Sequence, residues 1–391
     1  MILRLKSFFN RNLNNRYKMH LNLLTTFGEV ATYAGYILLA VFVLLVMITV
    51  HEFGHYVSGK IFGFGINEFA IGMGPKLFKK VKKNGEVFSI RLLPIGGFCA
   101  FKGEDEEDDD PTAFNNKKPW QRIIVLISGA LMNYLLALLI IIIMFGAYGQ
   151  TALVPVYLDD NPEYSQQYSL QSKDIIIKVE GKSIYLTTDL MDAIDGKKQG
   201  DIVNFTVKRG SEFCDIKVML RTDTDFKNVE DQKTLYSALG ISYSTDENGQ
   251  LINGGLYSTS VKYGFFGTIG KSFEYSFKVG SSIFTVLGQL LTGRLGINSL
   301  GGTVTTVTTT ANAIKFGGFI NLLNIASFIG VNLAIFNLLP IPALDGSRVV
   351  FTAIEWIRKK PLNRRVEGII HGVGIVLLLL FAVFVDLQRC F

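Results

Sequence analysis

The sequence predicts a polytopic α-helical membrane protein that carries a small α+β domain. Three observations point there. Apolar residues make up 49% of the 391 positions. They gather in runs at 31–50, 123–149 and 316–339 without Asp, Glu, Lys or Arg, with a shorter run at 368–385. The runs lie near the ~20 residues needed to cross hydrocarbon. Between the second and third runs the hydropathy falls and short strand and helix patterns take over. The expected organisation is an N-terminal segment 1–30, a first membrane part 31–150, an α+β module 151–224, a linker and interfacial helix 225–311, and a second membrane part 312–391.

Lys and Arg set the expected orientation. The stretch 58–122 carries eleven of them and 340–367 carries six. Both are expected on the cytoplasmic side, which puts the two termini and the α+β module outside. The five basic residues before position 20 oppose this weakly. The net charge of +6 comes from such loops and marks no nucleic-acid surface. Three cysteines, Cys99, Cys214 and Cys390, form no disulfide framework and have no metal-ligand spacing. No short apolar core with a small-residue cleavage site precedes the first run, so no cleaved leader is expected.

The first run leads directly into His51-Glu52-Phe53-Gly54-His55. On a helix His51 and His55 share one face, a turn apart. Two neutral imidazoles so placed can grip one Zn²⁺, and Glu52 can act on a water beside it. A structural reading would make them two buried histidines with backbone partners. Ionisable groups in a membrane segment are costly, however, and are functional by default.

Residues 67–101 read as two strands, 68–75 and 88–98, around a charged Asn-Gly tip at 79–86. An apolar hairpin at membrane depth must be covered by protein or line a cavity, so a re-entrant hairpin is expected. Its edge, at Gly96, Gly97 and Phe98, can accept an extended peptide as an added strand. The acidic run 103–110 reads as a solvated loop. Lys117, Lys118, Trp120 and Arg122 read as an interfacial anchor for the second span. Gly129, four residues before Asn133, suits close helix contact with a polar group turned inward.

In the module, 174–184 reads as strand and turn, 188–194 as a helix, and 202–210 and 214–220 as strands. A further strand is expected at 239–243. Residues 262–293 read as an amphipathic helix at the outer interface, and 295–311 as a loop or broken segment. The third span delivers Asn337, then Pro340, Pro342 and Asp345. Two His, one carboxylate and water form a common catalytic zinc set, so Asp345 is the candidate third ligand. Asn337 is a candidate donor to substrate backbone or to a developing oxyanion. A basic interfacial helix is expected at 354–367. His371, in the last span, reads as structural or interfacial and not as a ligand.

Together the His-Glu-Phe-Gly-His stretch, Gly129-x-x-x-Asn133 and Asn337-Leu-Leu-Pro-x-Pro-x-Leu-Asp345-Gly346 resemble the site-2 protease family of intramembrane zinc metalloproteases. The type is the bacterial regulator of sigma-E protease, and the likeness covers about 30–388. The resemblance implies zinc ligands His51, His55 and Asp345, general base Glu52, and Asn337 in contact with substrate or transition state. It also implies a re-entrant β-loop near 67–101 that guides substrate. Read from the residues, Gly96, Gly97, Phe98 and Asn133 are candidate substrate-binding residues, with helix packing alone as the alternative for Asn133. The outer module looks like a PDZ domain. It lacks a Gly-Leu-Gly-Phe-type loop, which suits a filter that excludes bulky external domains. The implied protein sits in the bacterial cytoplasmic membrane and cuts single-span segments such as anti-sigma factors or remnant signal peptides. The competing reading is a non-catalytic, zinc-containing membrane scaffold that works through the module. A metal transporter would need a longer row of intramembrane carboxylates or histidines.

Overall fold

The computed structural model describes residues 2–104, 108–156, 158, 170–226, 232–245, 251–293, 296 and 301–388. Part of the acidic run, the start of the loop before Asp174, most of 294–300, two pieces of the 225–256 linker and Cys390 lie outside the described residues. The chain divides into two compact units, 1–143 with 272–391, and 144–271.

The first unit is built on helices. α1 (Ile2–Ile61) is one continuous helix, so the segment before position 31 is helical and not a separate lead-in. α2 is Pro119–Ala147, α6 is Thr303–Leu338, α7 is Asp345–Arg358 and α8 is Arg364–Gln388. Stretches of four of these, Glu29–Ile61, Pro119–Ala147, Val304–Leu338 and Arg365–Gln388, are long and apolar enough to cross a membrane. Pro119 opens α2, where its missing N–H costs nothing. Gly63, at φ 67°, follows the end of α1.

Two expectations change here. The Gly- and Thr-rich stretch is helical from Thr303, and the break falls later, at Gly318 (φ 60°, ψ −146°). Asp386 of α8 satisfies the opening of α6 by accepting from the Val304 and Thr305 amides at 3.0 and 3.2 Å. Free N–H groups at a helix start demand such a partner, and it lies 82 residues away along the chain. The helix expected at 354–367 instead starts at Asp345 and ends at Arg358, where Lys359 turns left-handed (φ 54°) before Pro361.

β1 (Ile66–Val81) and β2 (Val87–Phe101) form the expected hairpin, with longer arms and a tighter tip. The turn closes through Lys82 N–H to Glu86 O at 2.8 Å, with Gly85 at φ 86°. Each strand bends back on itself. Residues 66–71 therefore pair with 97–101 on one side and lie in step with 87–90 on the other, while 76–81 pair with 87–91. Residues 97–101 are then left at one edge. Phe64, Phe101, Phe114, Val125 and Leu126 form a buried cluster that ties the hairpin base to α1 and α2.

The second unit is a six-stranded sheet in the order β10-β3-β4-β6-β7, with β5 beside β4. The strands are β3 (Gln150–Pro155), β4 (Ile175–Val179), β5 (Lys182–Ser183), β6 (Ile202–Arg209), β7 (Glu212–Met219) and β10 (Leu256–Val261). The sheet does not close by 224, because β10 pairs with β3 from Leu256↔Pro155 to Val261↔Gln150. The strand expected at 239–243 is also displaced. α4 (Gln232–Leu239) occupies its start, and the pair β8 (Tyr243–Thr245) and β9 (Leu251–Gly254) follows. Leu235, Ala238 and Leu239 point into the core with α3 (Thr187–Ile194), so a helical apolar face won over a strand pattern. Phe205, Ile176, Ile184, Leu190 and Ile194 fill that core.

α5 (Phe265–Leu291) runs from one unit into the other. Within the first unit it turns a small polar face inward: Ser272 and Ser276 are buried, and Ser276 lies 3.0 Å from the Tyr134 hydroxyl of α2. Phe273, Phe277 and Phe284 face outward.

Candidate metal centre and active site

The site is made where α1, α2 and the start of α7 converge. Gly54 of α1 lies against the α2 backbone; a Cβ there would come within 2.9 Å of Gly129 Cα. Gly129 in turn faces the rings, since a Cβ on it would sit 2.8 Å from His51 Cε1 and 2.7 Å from His55 Cε1. Two glycines thus let the helices approach until the imidazoles fill the seam. Gly54, inside the His-Glu-x-x-His stretch, is where α1 packs on α2. Its signal in the sequence was the second half of a small-residue pair.

His51 and His55 are 7% and 6% exposed. Their Nε2 atoms are 3.1 Å apart, and Asp345 Oδ2 lies 2.9 Å from the first and 3.3 Å from the second. The three donors lie within 4.8 Å of one another, the one such His/Cys/Asp/Glu cluster among the described residues. Bonds of about 2.0–2.2 Å at tetrahedral angles put donor atoms about 3.4 Å apart, so two imidazoles and a carboxylate converge here as zinc ligands do. The orienting contacts agree. His55 Nδ1 donates to Val125 O at 2.8 Å, which leaves the Nε2 lone pair pointing at the cluster. Val125 O also accepts from Ser128 Oγ at 2.5 Å, and Ser128 meets Ser58 at 2.7 Å.

Glu52 sits on the next face of α1. Its Oε2 accepts from the Cys99 backbone N–H of β2 at 3.0 Å. A Cβ at Gly97 would be 3.6 Å from Glu52 Cγ. The edge of the hairpin sheet therefore runs beside this carboxylate. The Cys99 thiol is pushed up, by burial first and by the Glu52 charge second, which makes it a poor nucleophile. The Asn337 carboxamide nitrogen is 3.4 Å from His51 Nδ1, so the end of α6 reaches the same seam.

The other candidates are placed as follows. Asn133 is fully buried, and neither end of its carboxamide has a hydrogen-bond partner among the described residues. It lies one turn from Gly129, where Gly330 of α6 packs near Asn133 O and Met47 Sδ, each 3.4 Å from a Cβ placed there. Gly96 (φ 89°) packs on Met73, and Phe98 stacks under the Arg91 guanidinium at 4.8 Å. Arg122 departs from expectation. It is no surface anchor: it is 5% exposed, pairs with the equally buried Glu355 at 2.7 Å and reaches Thr352. A buried cation needs such a partner, and this one lies 233 residues away.

The profile of Peptidase family M50 matches residues 39–381. A zinc metalloprotease candidate of Clostridium perfringens, CPE1693, is 34% identical over 90% of this chain and 98% of its own. Zinc metalloprotease RasP of Bacillus licheniformis is 29% identical over 87% of this chain and 96% of its own. The regulator of sigma-W protease RasP of Bacillus subtilis is 28% identical over 87% and 95%. With four apolar spans and a two-histidine, one-carboxylate centre between them, the chain belongs to Peptidase family M50 as a multi-pass zinc metalloprotease of the site-2 type.

Proposed function

We propose that the protein hydrolyses a peptide bond within the membrane segment of a single-span protein. The observation that carries this is the convergence of His51, His55 and Asp345 with Glu52 on the adjoining helix face. His51, His55 and Asp345 hold one Zn²⁺. When bound, zinc polarises a carbonyl and lowers the pKa of a water at its open position. Glu52 takes the proton from the attacking water and passes it to the leaving amine. The Asn337 carboxamide holds the carbonyl oxygen or the adjoining strand. Asn133, whose carboxamide has no hydrogen-bond partner among the described residues, is a candidate contact for substrate.

A helix hides its amides in its own hydrogen bonds, so the substrate must unwind locally. The edge strand offers a place for the unwound stretch. Cys99 N–H points out of the sheet toward Glu52. Backbone groups alternate along a strand, so those of Gly97 point out on the same side. A substrate strand added along Gly96, Gly97 and Phe98 runs past Glu52. In this reading the hairpin is re-entrant, the centre lies toward the cytoplasmic side of a bacterial membrane, and the 144–271 unit is an outer PDZ-like filter. Its sheet and two helices suit that role. Membrane-tethered anti-sigma factors and remnant signal peptides, already trimmed outside, are the substrates of this shape.

The test compares wild type with Glu52→Gln, purified whole, for zinc content and for cleavage of a trimmed, tagged single-span substrate. Both are expected to hold one zinc. Cleavage by the variant is expected to fall about 10²–10⁴-fold. Wild-type turnover by Glu52→Gln would sink the mechanism. Zinc in both proteins with no cleavage of several trimmed substrates by either would favour a scaffold.

A further inference from the structure

We infer that α8 is a clamp on the loop that presents Asp345, with His371 and Gly374 as its positioning residues. The inference rests on Asp345 being a zinc ligand. Asn337 and Asp345 are joined by a short loop through Pro340 and Pro342. In it, Ala343 holds φ 81°, a left-handed conformation that an L-residue with a Cβ rarely adopts. Such a conformation persists only where its surroundings impose it. Two residues of α8 supply that. His371 Nδ1 accepts the Ala343 N–H at 3.2 Å, which places the ring proton on Nε2. The ring is buried and stands edge-on to Phe351 of α7, with centroids 5.8 Å apart. One turn on, Gly374 lets α8 touch the loop; a Cβ there would lie 2.7 Å from Pro342 C and 2.8 Å from its O. Beyond Gly374 the two surfaces part around an apolar groove of about 510 Å³ along Leu377, Phe381 and Phe384. The hydrogen bond and the close backbone approach both lie in the turn from His371 to Gly374.

Ala343 stands two residues before Asp345, so releasing it lets the carboxylate drift from the two imidazoles. His371 is not part of the His51, His55 and Asp345 cluster. It acts through the backbone of Ala343. A partner behind a ligand typically contributes about 10–100-fold to metal affinity.

The experiment measures zinc affinity of the full-length protein in nanodiscs by chelator competition, with thermal melting alongside. His371→Ala is expected to bind zinc about 10-fold more weakly, with its cleavage restored by excess zinc. His371→Asn, which keeps an acceptor where Nδ1 stood, should bind within about two-fold of wild type. Ala343→Gly added to His371→Ala should recover most of the loss, because glycine takes φ 81° without strain. A general packing role for His371 would give no such rescue. Gly374→Ala tests the grip at its other contact and should also weaken zinc. Wild-type affinity in both His371→Ala and Gly374→Ala overturns the inference, as does a double variant that shows no recovery. Asp345→Ala separates the two readings. Its retention of zinc would overturn the ligand assignment itself, whereas its loss of zinc beside an unaffected His371→Ala overturns only the clamp.

Discussion

The two units of the chain solve the same problem in opposite solvents. In the 144–271 unit the interior is Ile176, Ile184, Leu190, Val203, Phe205 and Val207, and Asp174, paired with Arg209, is a charge buried beside it. In the other unit the interior holds His51, His55, Arg122, Asn133 and Glu355, while Leu377, Leu379 and Leu380 of α8 face out. Water outside rewards an apolar core. Hydrocarbon outside gives apolar groups no reason to go in, so helices there associate through close packing and polar contacts. Gly54, Gly129, Gly330 and Gly374 supply the close packing, and the buried polar groups supply the rest. An interior built this way is free to hold a metal site, because its polar groups are already the means of association.

The largest contrast to test is between two ion pairs. Arg122→Ala leaves the buried Glu355 carboxylate of α7 without its cation, with the Leu362 N–H still donating to it at 2.8 Å, and should cost about 3–5 kcal/mol in unfolding, with zinc lost as α7 loosens. Arg209→Ala breaks the Asp174 pair of the other unit at 2.8 Å. Asp174 is fully buried, but Arg209 is 38% exposed. Solvent screening holds that cost to about 1 kcal/mol. Equal losses in denaturant unfolding would break the comparison.

Phe205→Ala sharpens it from the apolar side. The ring is 1% exposed in the sheet core, and its loss should cost about 3–5 kcal/mol. Hydrogen exchange should show β4, β6 and β7 opening while one zinc per chain is retained. Loss of zinc together with the sheet would show that the units do not keep separate stability.

The smallest effect lies in the hairpin, where two largely buried carboxylates pair with lysines about a third exposed. The Glu68 carboxyl stands at about 2: partial burial raises it, and hydrogen bonds from Ser89, Lys76 and Arg91 outweigh that. Glu86 is likewise at about 2, with burial opposed by Lys60, Lys82, Tyr56 and Asn84. Both values are depressed on folding. Their stabilisation is therefore whole above the unfolded value of ~4.3 and fades as pH falls toward 2. Amide exchange in 66–101, corrected for intrinsic rates, should rise between pH 5 and pH 3 before exchange in α2 does. Unchanged protection at pH 3 would show that these pairs hold nothing together.

Much of the centre was legible in the chain because its chemistry is local. His51, Glu52 and His55 lie within one helical turn, and a turn is something spacing can specify. Asp345 was legible for a weaker reason: an apolar run and two prolines end just before it. The Thr-rich stretch after 302 misled because threonine is a poor helix former, yet Asp386 caps its start and it is helical from Thr303. The strand expected at 239–243 failed because a short apolar run fits either period, and the core took the helical face.

The sequence by itself determined the spans, the paired histidines with their carboxylate, and most strands of the sheet in the 144–271 unit. Each rests on a pattern repeated within a few residues. Only the tertiary structure decided that Arg122 is buried against Glu355, that Cys99 N–H meets Glu52, that β10 closes the sheet on β3, and that His371 holds Ala343. These contacts join residues from 28 to 233 positions apart. No spacing encodes them, because they exist only once packing has brought the elements together.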